Sequence, residues 1–256
     1  MPADSNKRLV LFWRVTLGFG MLGAWQGLAT AKLLDPFFFS RPSDIVARAV
    51  GWIVDGSIWI HLGVTLAEAA LAFLIGSAFG VAFGFLLGRQ RLLAEIAAPY
   101  IQVANALPRI VLAPIFLLWF GLGIWSKVAL GVVSVFFVVF FNTFQGVREV
   151  DPVLINNARM LGATERQLMR HVILPRALVW IFSSLQISIG FAIIAAVVGE
   201  YLGASRGIGY RIAQAEGVFD TTGVFAGMLV LAVVVLAVAQ CVERLERWLL
   251  RWKART

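Results

Sequence analysis

Between Leu9 and Val242 the chain is a succession of apolar runs, and one long polar segment, Asp151–Pro175, interrupts them. A helix rises about 1.5 Å per residue, so crossing a hydrocarbon core of about 30 Å takes about 20 apolar residues. Inside a bilayer there is no water to bond exposed peptide groups, so runs of this kind must be helical. Only 14% of the 256 residues are charged and 60% are hydrophobic. Soluble domains are about a quarter charged and about half apolar. The expected fold class is therefore all-α: a polytopic membrane protein with about six transmembrane helices. No polar block is large enough for a separate soluble domain, so residues 1–256 are expected to form a single membrane domain.

The first apolar span covers residues 9–28, after Lys7 and Arg8. Ala29-Thr30-Ala31 has the look of a signal cleavage site, but the apolar run is long for a signal peptide, so a retained helix with a cytoplasmic N-terminus is expected. An amphipathic piece at 44–54, with Ile45, Val46, Val50 and Ile53 near one face, reads as a short helix at the outer membrane surface, anchored by Trp52 and Trp59. The second span, 61–88, carries Gly76, Gly80, Gly84 and Gly88 at four-residue spacing. On a helix these form one stripe that admits a second helix at close range, from the same chain by preference or from a second copy. The third, 97–121, is interrupted by Pro108 and Pro114, tolerable at membrane depth only where protein or a water-filled cavity satisfies the freed carbonyls. Arg109 therefore either faces a cavity or a carboxylate, or snorkels to the cytoplasmic edge. Trp119, Trp125 and Lys127 mark the next boundary. Further spans occupy 128–144, 177–198 and 225–242, and the tail 243–256 is basic and amphipathic, with Trp248 and Trp252 suited to headgroups.

The polar segment DPVLINNARMLGATERQLMRHVILP reads as helix, turn and helix. Asp151 and Pro152 have the character of an N-cap and first helical residue. Gly162 suits a left-handed stop. Thr164 and Gln167 have capping-box spacing, and Pro175 limits how far the second helix runs unkinked.

The net charge of +8 raises the question of nucleic acid. Most Lys and Arg, however, lie in the N-terminal end, the Arg89/Arg91 loop, the Asp151–Pro175 region and the tail. With both termini inside, the positive-inside rule accounts for this excess without nucleic acid. No G-x-x-x-x-G-K-[ST] sequence is present, so no nucleotide-hydrolysing P-loop is expected. His61 and His171 are far apart and make no metal pattern; no metal site and no catalytic residue are expected. Cys241, the single cysteine, lies in an apolar run and is expected to be buried.

The polar segment resembles the cytoplasmic coupling loop of the membrane subunits of ABC-type importers. That pattern is Glu-Ala-Ala, three residues, Gly, nine residues, Ile, one residue, Leu-Pro. Ala158, Gly162, Leu174 and Pro175 match it, Val172 stands at the Ile, and Asn156 and Asn157 replace the Glu and the first Ala. LPRIVLAPIFLLWFGLG from Leu107, GVREVDP from Gly146 and VVGEYLGASRGIGYRI from Val197 extend the resemblance to permease subunits of the sulfonate, taurine and nitrate group of type I importers. The resemblance implies a second copy of the permease, two ABC ATPase subunits carrying ATP and Mg, an extracytoplasmic solute-binding protein, and a bacterial cytoplasmic (inner) membrane. It implies no cofactor bound by this chain itself.

On this reading Ala158, Gly162, Ala163 and Leu168 would pack in the ATPase groove, Leu174 and Pro175 would close the loop, and Asn156, Arg159 and Arg166 would supply polar contacts. Pro108, Arg109 and Glu200 are expected at or near the substrate path, where an unpaired Arg would suit an anion such as a sulfonate, taurine or nitrate; Arg109 pairing with Glu200 is the competing arrangement. A heterocyclic vitamin precursor is the alternative cargo. An ion-driven transporter would show paired acids in spans or inverted repeats, whereas Glu68 and Glu200 are the only acidic candidates there. A scaffold or sensor would need no capped loop.

Overall fold

The computed structural model describes residues 3–249, with side chains described for 9–244. Trp252, and the side chain of Trp248, proposed as headgroup anchors, lie outside the described residues. Among the described residues all regular structure is helical. In chain order the helices are α1 (Ala3–Thr30), α2 (Pro36–Phe39), α3 (Pro42–Val54), α4 (Ser57–Arg89), α5 (Arg91–Ala106), a 3₁₀ turn (Arg109–Leu112), α6 (Ala113–Phe120) and α7 (Ile124–Arg148). They continue with α8 (Pro152–Met160), α9 (Glu165–Leu168), a π turn (Met169–Ile173), α10 (Leu174–Leu202), α11 (Ile208–Gly217) and α12 (Thr221–Leu249).

Four stretches are long and apolar enough to cross a membrane: Ser57–Arg89, Ile124–Arg148, Glu165–Leu202 and Thr221–Arg244. The pair Arg91–Ala106 and Arg109–Phe120, bent by 85°, makes a fifth if it crosses as one. The bend falls where Pro108, extended at φ −62° and ψ 110°, denies the chain a helical continuation. Pro114 breaks nothing; it sits in the first turn of α6, where a missing N–H costs no bond. α1, at 28 residues, has spanning length, but Arg14 and Gln26 make it less apolar than the others. Each of the six apolar segments is thus a helix or a bent pair.

The chain forms two compact units, each assembled from separate stretches. One comprises 1–59 and 211–232. Within it Arg48 Nη1 meets Asp220 Oδ2 at 2.6 Å, and the Arg211 guanidinium stacks on Trp52, 4.6 Å from the ring centre. Trp52, expected as a lipid-facing anchor, is buried there together with Ile45 and Ala49, whereas Val46, Val50 and Ile53 are exposed. The buried stripe of α3, Ile45, Ala49 and Trp52, shares only Ile45 with the face read in the sequence.

The other unit comprises 60–210 and 233–256. Its core is the packing of α4 and α10 on α7. The stripe on α4 lies along α7: a Cβ on Gly76 would come within 2.8 Å of Val135, on Gly80 within 2.8 Å of Val139, on Gly84 within 2.7 Å of the Phe140 carbonyl and 2.8 Å of Thr143, and on Gly88 within 2.8 Å of Val147. Two four-residue ladders therefore mesh, at a separation that only glycine permits. On α7's other side Gly146 receives Trp180 of α10, and Val147, Ala177 and Ile181 form a buried cluster with Val81 and Phe85 beside it. Nearer the far end Ala113, Leu130 and Ala195 pack under Phe116 and Val198. Cys241 is exposed rather than buried, because this turn of α12 directs the thiol outward.

Candidate functional site

Two places on the second unit carry chemistry beyond packing. The first is the tip at 151–168. Asp151 Oδ1 accepts from the Val153 N–H at 2.8 Å and starts α8. Gly162 has φ +81°, a left-handed stop with open space around it. The box forms: the Gln167 side chain accepts from the Thr164 N–H at 2.8 Å, and Thr164 Oγ1 accepts from the Gln167 N–H at 3.3 Å. These caps satisfy the helix ends from within, and the turn between them thrusts Met160 and Leu161 into the open at 86% and 89% exposure.

The second helix of the loop differs from its sequence reading. α9 spans only Glu165–Leu168, and the chain then passes through the π turn into α10 without a break. The physical cause is Pro175, which has no N–H to give the His171 carbonyl; the local pairing widens, and the Leu174 N–H bonds back to the Met169 carbonyl, five residues earlier. Pro175 therefore joins the tip to a span instead of ending a helix. Asn156, Arg159 and Arg166 are exposed, while Ala158 and Ala163 are half-buried. Leu168 was expected in a partner's groove, yet it is 2% exposed. It turns inward from the capped first turn and is unavailable to a partner. Glu165 accepts from Arg159 Nη2 at 2.9 Å and lies 3.9 Å from Arg89 Nη2 at the end of α4, both as exposed surface pairs.

The second place is a cavity of about 410 Å³ between the bent pair and the helices α7 and α10. Pro108 and Arg109 line it with Asn105, Ser134, Phe191 and Ile194. Arg109, half-buried, donates to Asn105 Oδ1 at 2.8 Å and lies 5.5 Å from the centre of the Phe137 ring. Among the described residues it makes no ion pair.

Glu200, expected at or near the substrate path, does not line this cavity, and the competing pair with Arg109 is not formed. Its carboxylate accepts from Thr65 Oγ1 at 2.6 Å and from the Gly209 N–H at 2.8 Å, at 1% exposure. Thr65 Oγ1 in turn accepts from the Ile208 N–H at 2.9 Å, and His61 Nδ1 accepts from the Gly207 N–H at 3.0 Å. Three successive peptide donors at the start of α11 are thus held by side chains of α4 and α10. Lys127 lies in the same buried hub at 1% exposure, its ammonium donating to the carbonyls of Leu122 at 2.7 Å and Gly123 at 3.0 Å. It holds the turn between α6 and α7. Glu68, 2% exposed, lies against Glu200, and its Oε2 has no hydrogen-bond partner. An unpaired buried acceptor costs about 1–3 kcal/mol. The glycines make the hub possible: a Cβ on Gly207 would run into the Glu200 carboxylate, and one on Gly199 would come within 2.8 Å of Lys127 Cγ. Two residues of this hub stand out in the sequence, Glu68 and Glu200, as the acidic residues within or beside the spans; that they meet, and that Thr65 and Lys127 join them, does not.

Residues 76–255 match the family model described as binding-protein-dependent transport system inner membrane component. Among curated proteins, the chain is 35% identical to the protein of Bacillus subtilis named as the aliphatic sulfonates transport permease SsuC, over 91% of this chain and 84% of that one. It is 32% identical to the formylaminopyrimidine transport permease protein ThiX of Halalkalibacterium halodurans, over 93% and 95%. With the taurine transport system permease protein TauC of Escherichia coli it shares 30% identity, over 96% and 94%. Among solved structures, an inward-facing form of the MetNI methionine ABC transporter superposes with a TM-score of 0.63 at 21% identity, covering 77% of this chain and 95% of that one.

Proposed function

Because this chain belongs to the family of inner membrane components of binding-protein-dependent transport systems, the permeases of ABC importers, we propose that it conducts a small organic anion through the cavity beside Arg109. The observation that carries this reading is Arg109 itself. A half-buried guanidinium with a neutral amide as its polar partner has donors left over, and a bound anion would use them. The rest of the lining, Phe191 and Ile194 among it, suits the carbon body of such a cargo. Aliphatic sulfonates and taurine, named for two of the relatives, both carry the required negative head.

Energy would arrive through the tip at 151–168. A membrane chain without a nucleotide site needs a mechanical contact, and the exposed Met160 and Leu161, framed by satisfied caps, suit a hydrophobic groove on each of two ATPase subunits that bind ATP and Mg. A second copy of the chain and an extracytoplasmic binding protein would complete the transporter in a bacterial inner membrane, with both termini inside. Closing of the ATPases would bias the spans between inward-open and outward-open states.

The similarity to a formylaminopyrimidine permease keeps a heterocyclic cargo as the second reading. Uptake by the assembled transporter in proteoliposomes separates them, with a radiolabelled alkanesulfonate and a labelled formylaminopyrimidine offered in parallel with their binding proteins. ATP-dependent uptake of the sulfonate, lowered about ten- to a hundredfold in Arg109→Gln, is expected; uptake of the pyrimidine alone would overturn the anion reading.

A further inference from the structure

The buried hub lies at the far end of α10 from the tip, and its two halves hold different turns. Glu200, Thr65 and His61 hold residues 207–209, whereas Lys127 holds 122–123. The second turn carries the bent pair that walls the cavity. An ammonium has three donors, and the Lys127 ammonium gives two of them to the carbonyls of Leu122 and Gly123. Glu68 Oε2, in the same buried cluster, has no donor. A hub of fixed geometry would match its last donor to its last acceptor, since an unmatched pair in low dielectric is costly. One donor and one acceptor held apart are what remains when the same residues serve two arrangements.

We propose that Lys127 is a two-position switch: in this structure it holds the turn between α6 and α7, and in the opposite transport state its ammonium pairs with Glu68 and frees that turn to move with the wall of the cavity. The proposal rests on the permease reading. It assigns Glu68 a role that this structure leaves unused, and it makes the Glu200 half the fixed reference against which the Lys127 half moves. Both partners lie within the second unit.

The experiment uses the transporter assembled with its ATPase, on a Cys241→Ser background, with spin labels at the exposed positions Leu122 and Ser205. Without nucleotide a single label distance is expected, and after trapping with ATP and vanadate a second one. In Glu68→Gln the second distance should be absent and uptake at least tenfold lower, while the thermal midpoint is not lowered, because the altered oxygen has no bond here to lose. Glu68→Asp should recover part of both signals. Wild-type distances in Glu68→Gln, a single distance in the wild type throughout, or uptake and thermal midpoint falling together would each overturn the switch. Should the wild type itself show no ATP-driven uptake, it is the permease reading that fails.

Discussion

At the scale of residues, what matters is which charges find partners. Arg109 is the test case. A charge-assisted hydrogen bond contributes about 1.5–3 kcal/mol, and each 1.4 kcal/mol is about tenfold in affinity. Arg109→Gln keeps a donor near Asn105 but removes the charge, so uptake of an anion should fall by about ten- to a hundredfold, measured at subsaturating cargo, with expression unchanged. Glu165 offers the contrast. Its pairs with Arg159 and Arg89 are more than half exposed on its side, and such pairs contribute about 0–1 kcal/mol. Glu165→Ala should therefore leave the thermal midpoint almost unmoved; a drop of several degrees would mean that the tip is held by it. Arg109 was legible in the sequence because a proline beside a cation in an apolar run already signals a cavity or an edge. Lys127 was not, since nothing linear announces that Thr65, Glu68, Lys127 and Glu200 meet. A lysine near a span end looks the same whether it snorkels outward or turns inward to cap carbonyls.

At the scale of elements, spacing carries the information, and its failures have a cause. The α4 stripe was readable because glycines at four-residue intervals have one physical use, and the structure identifies the face of α7 that fills it. The backbone of Phe140 and Phe144 surrounds Gly84, so nothing nearby can yield to a new methyl group. Gly84→Ala should cost about 1–3 kcal/mol as overpacking, whereas Gly63→Ala on the same helix, in open space, should be neutral or gain up to about 1 kcal/mol. Thermal unfolding in detergent compares the two; equal effects would mean that the helices do not mesh as described. Gly162 separates strain from crowding. Its surroundings are empty and its φ is +81°, so Gly162→Asn, which tolerates that conformation, should couple far better than Gly162→Val. Uptake should be nearly abolished in the valine variant with membrane insertion intact. The caps around this glycine were legible from residue types. The extent of α9 was not, because a proline ends an α-helix but is absorbed by a π turn when the span beyond is fixed by its packing on α7.

At the scale of the whole molecule, that π turn decides how a push on the tip travels. Residues Glu165–Leu202 form one continuous helical stretch, with the tip at one end and Glu200 near the other. At about 1.5 Å per residue its 38 residues reach roughly 57 Å, longer than the ~40–45 Å of a bilayer with its headgroups. Between its ends Ala177 and Ile181 pack with Val147 near the tip, and Ala195 packs on Leu130 at the cavity wall, so the lever bears on α7 at both places. A displacement of the tip then reaches the cavity as rotation or tilt of a rigid rod, provided the joint at Met169–Ile173 keeps its register. Pro175→Ala restores the missing N–H and with it the option of an ordinary α-helical turn. Closing the π turn removes one residue from the repeat and rotates everything on its tip side by about 100°, the angle per residue of a 3.6-fold helix. Met160 and Leu161 would then face a different direction while every span stays in place. The expected result is a transporter that inserts and assembles and whose ATPase runs near the wild-type rate, but which imports several-fold less solute per ATP. The ratio of solute taken up to phosphate released in the same proteoliposomes measures this. An unchanged ratio would mean that the joint yields during transport, so that the tip and the span move independently and the force must enter through the Arg89–Glu165 contact with α4 instead.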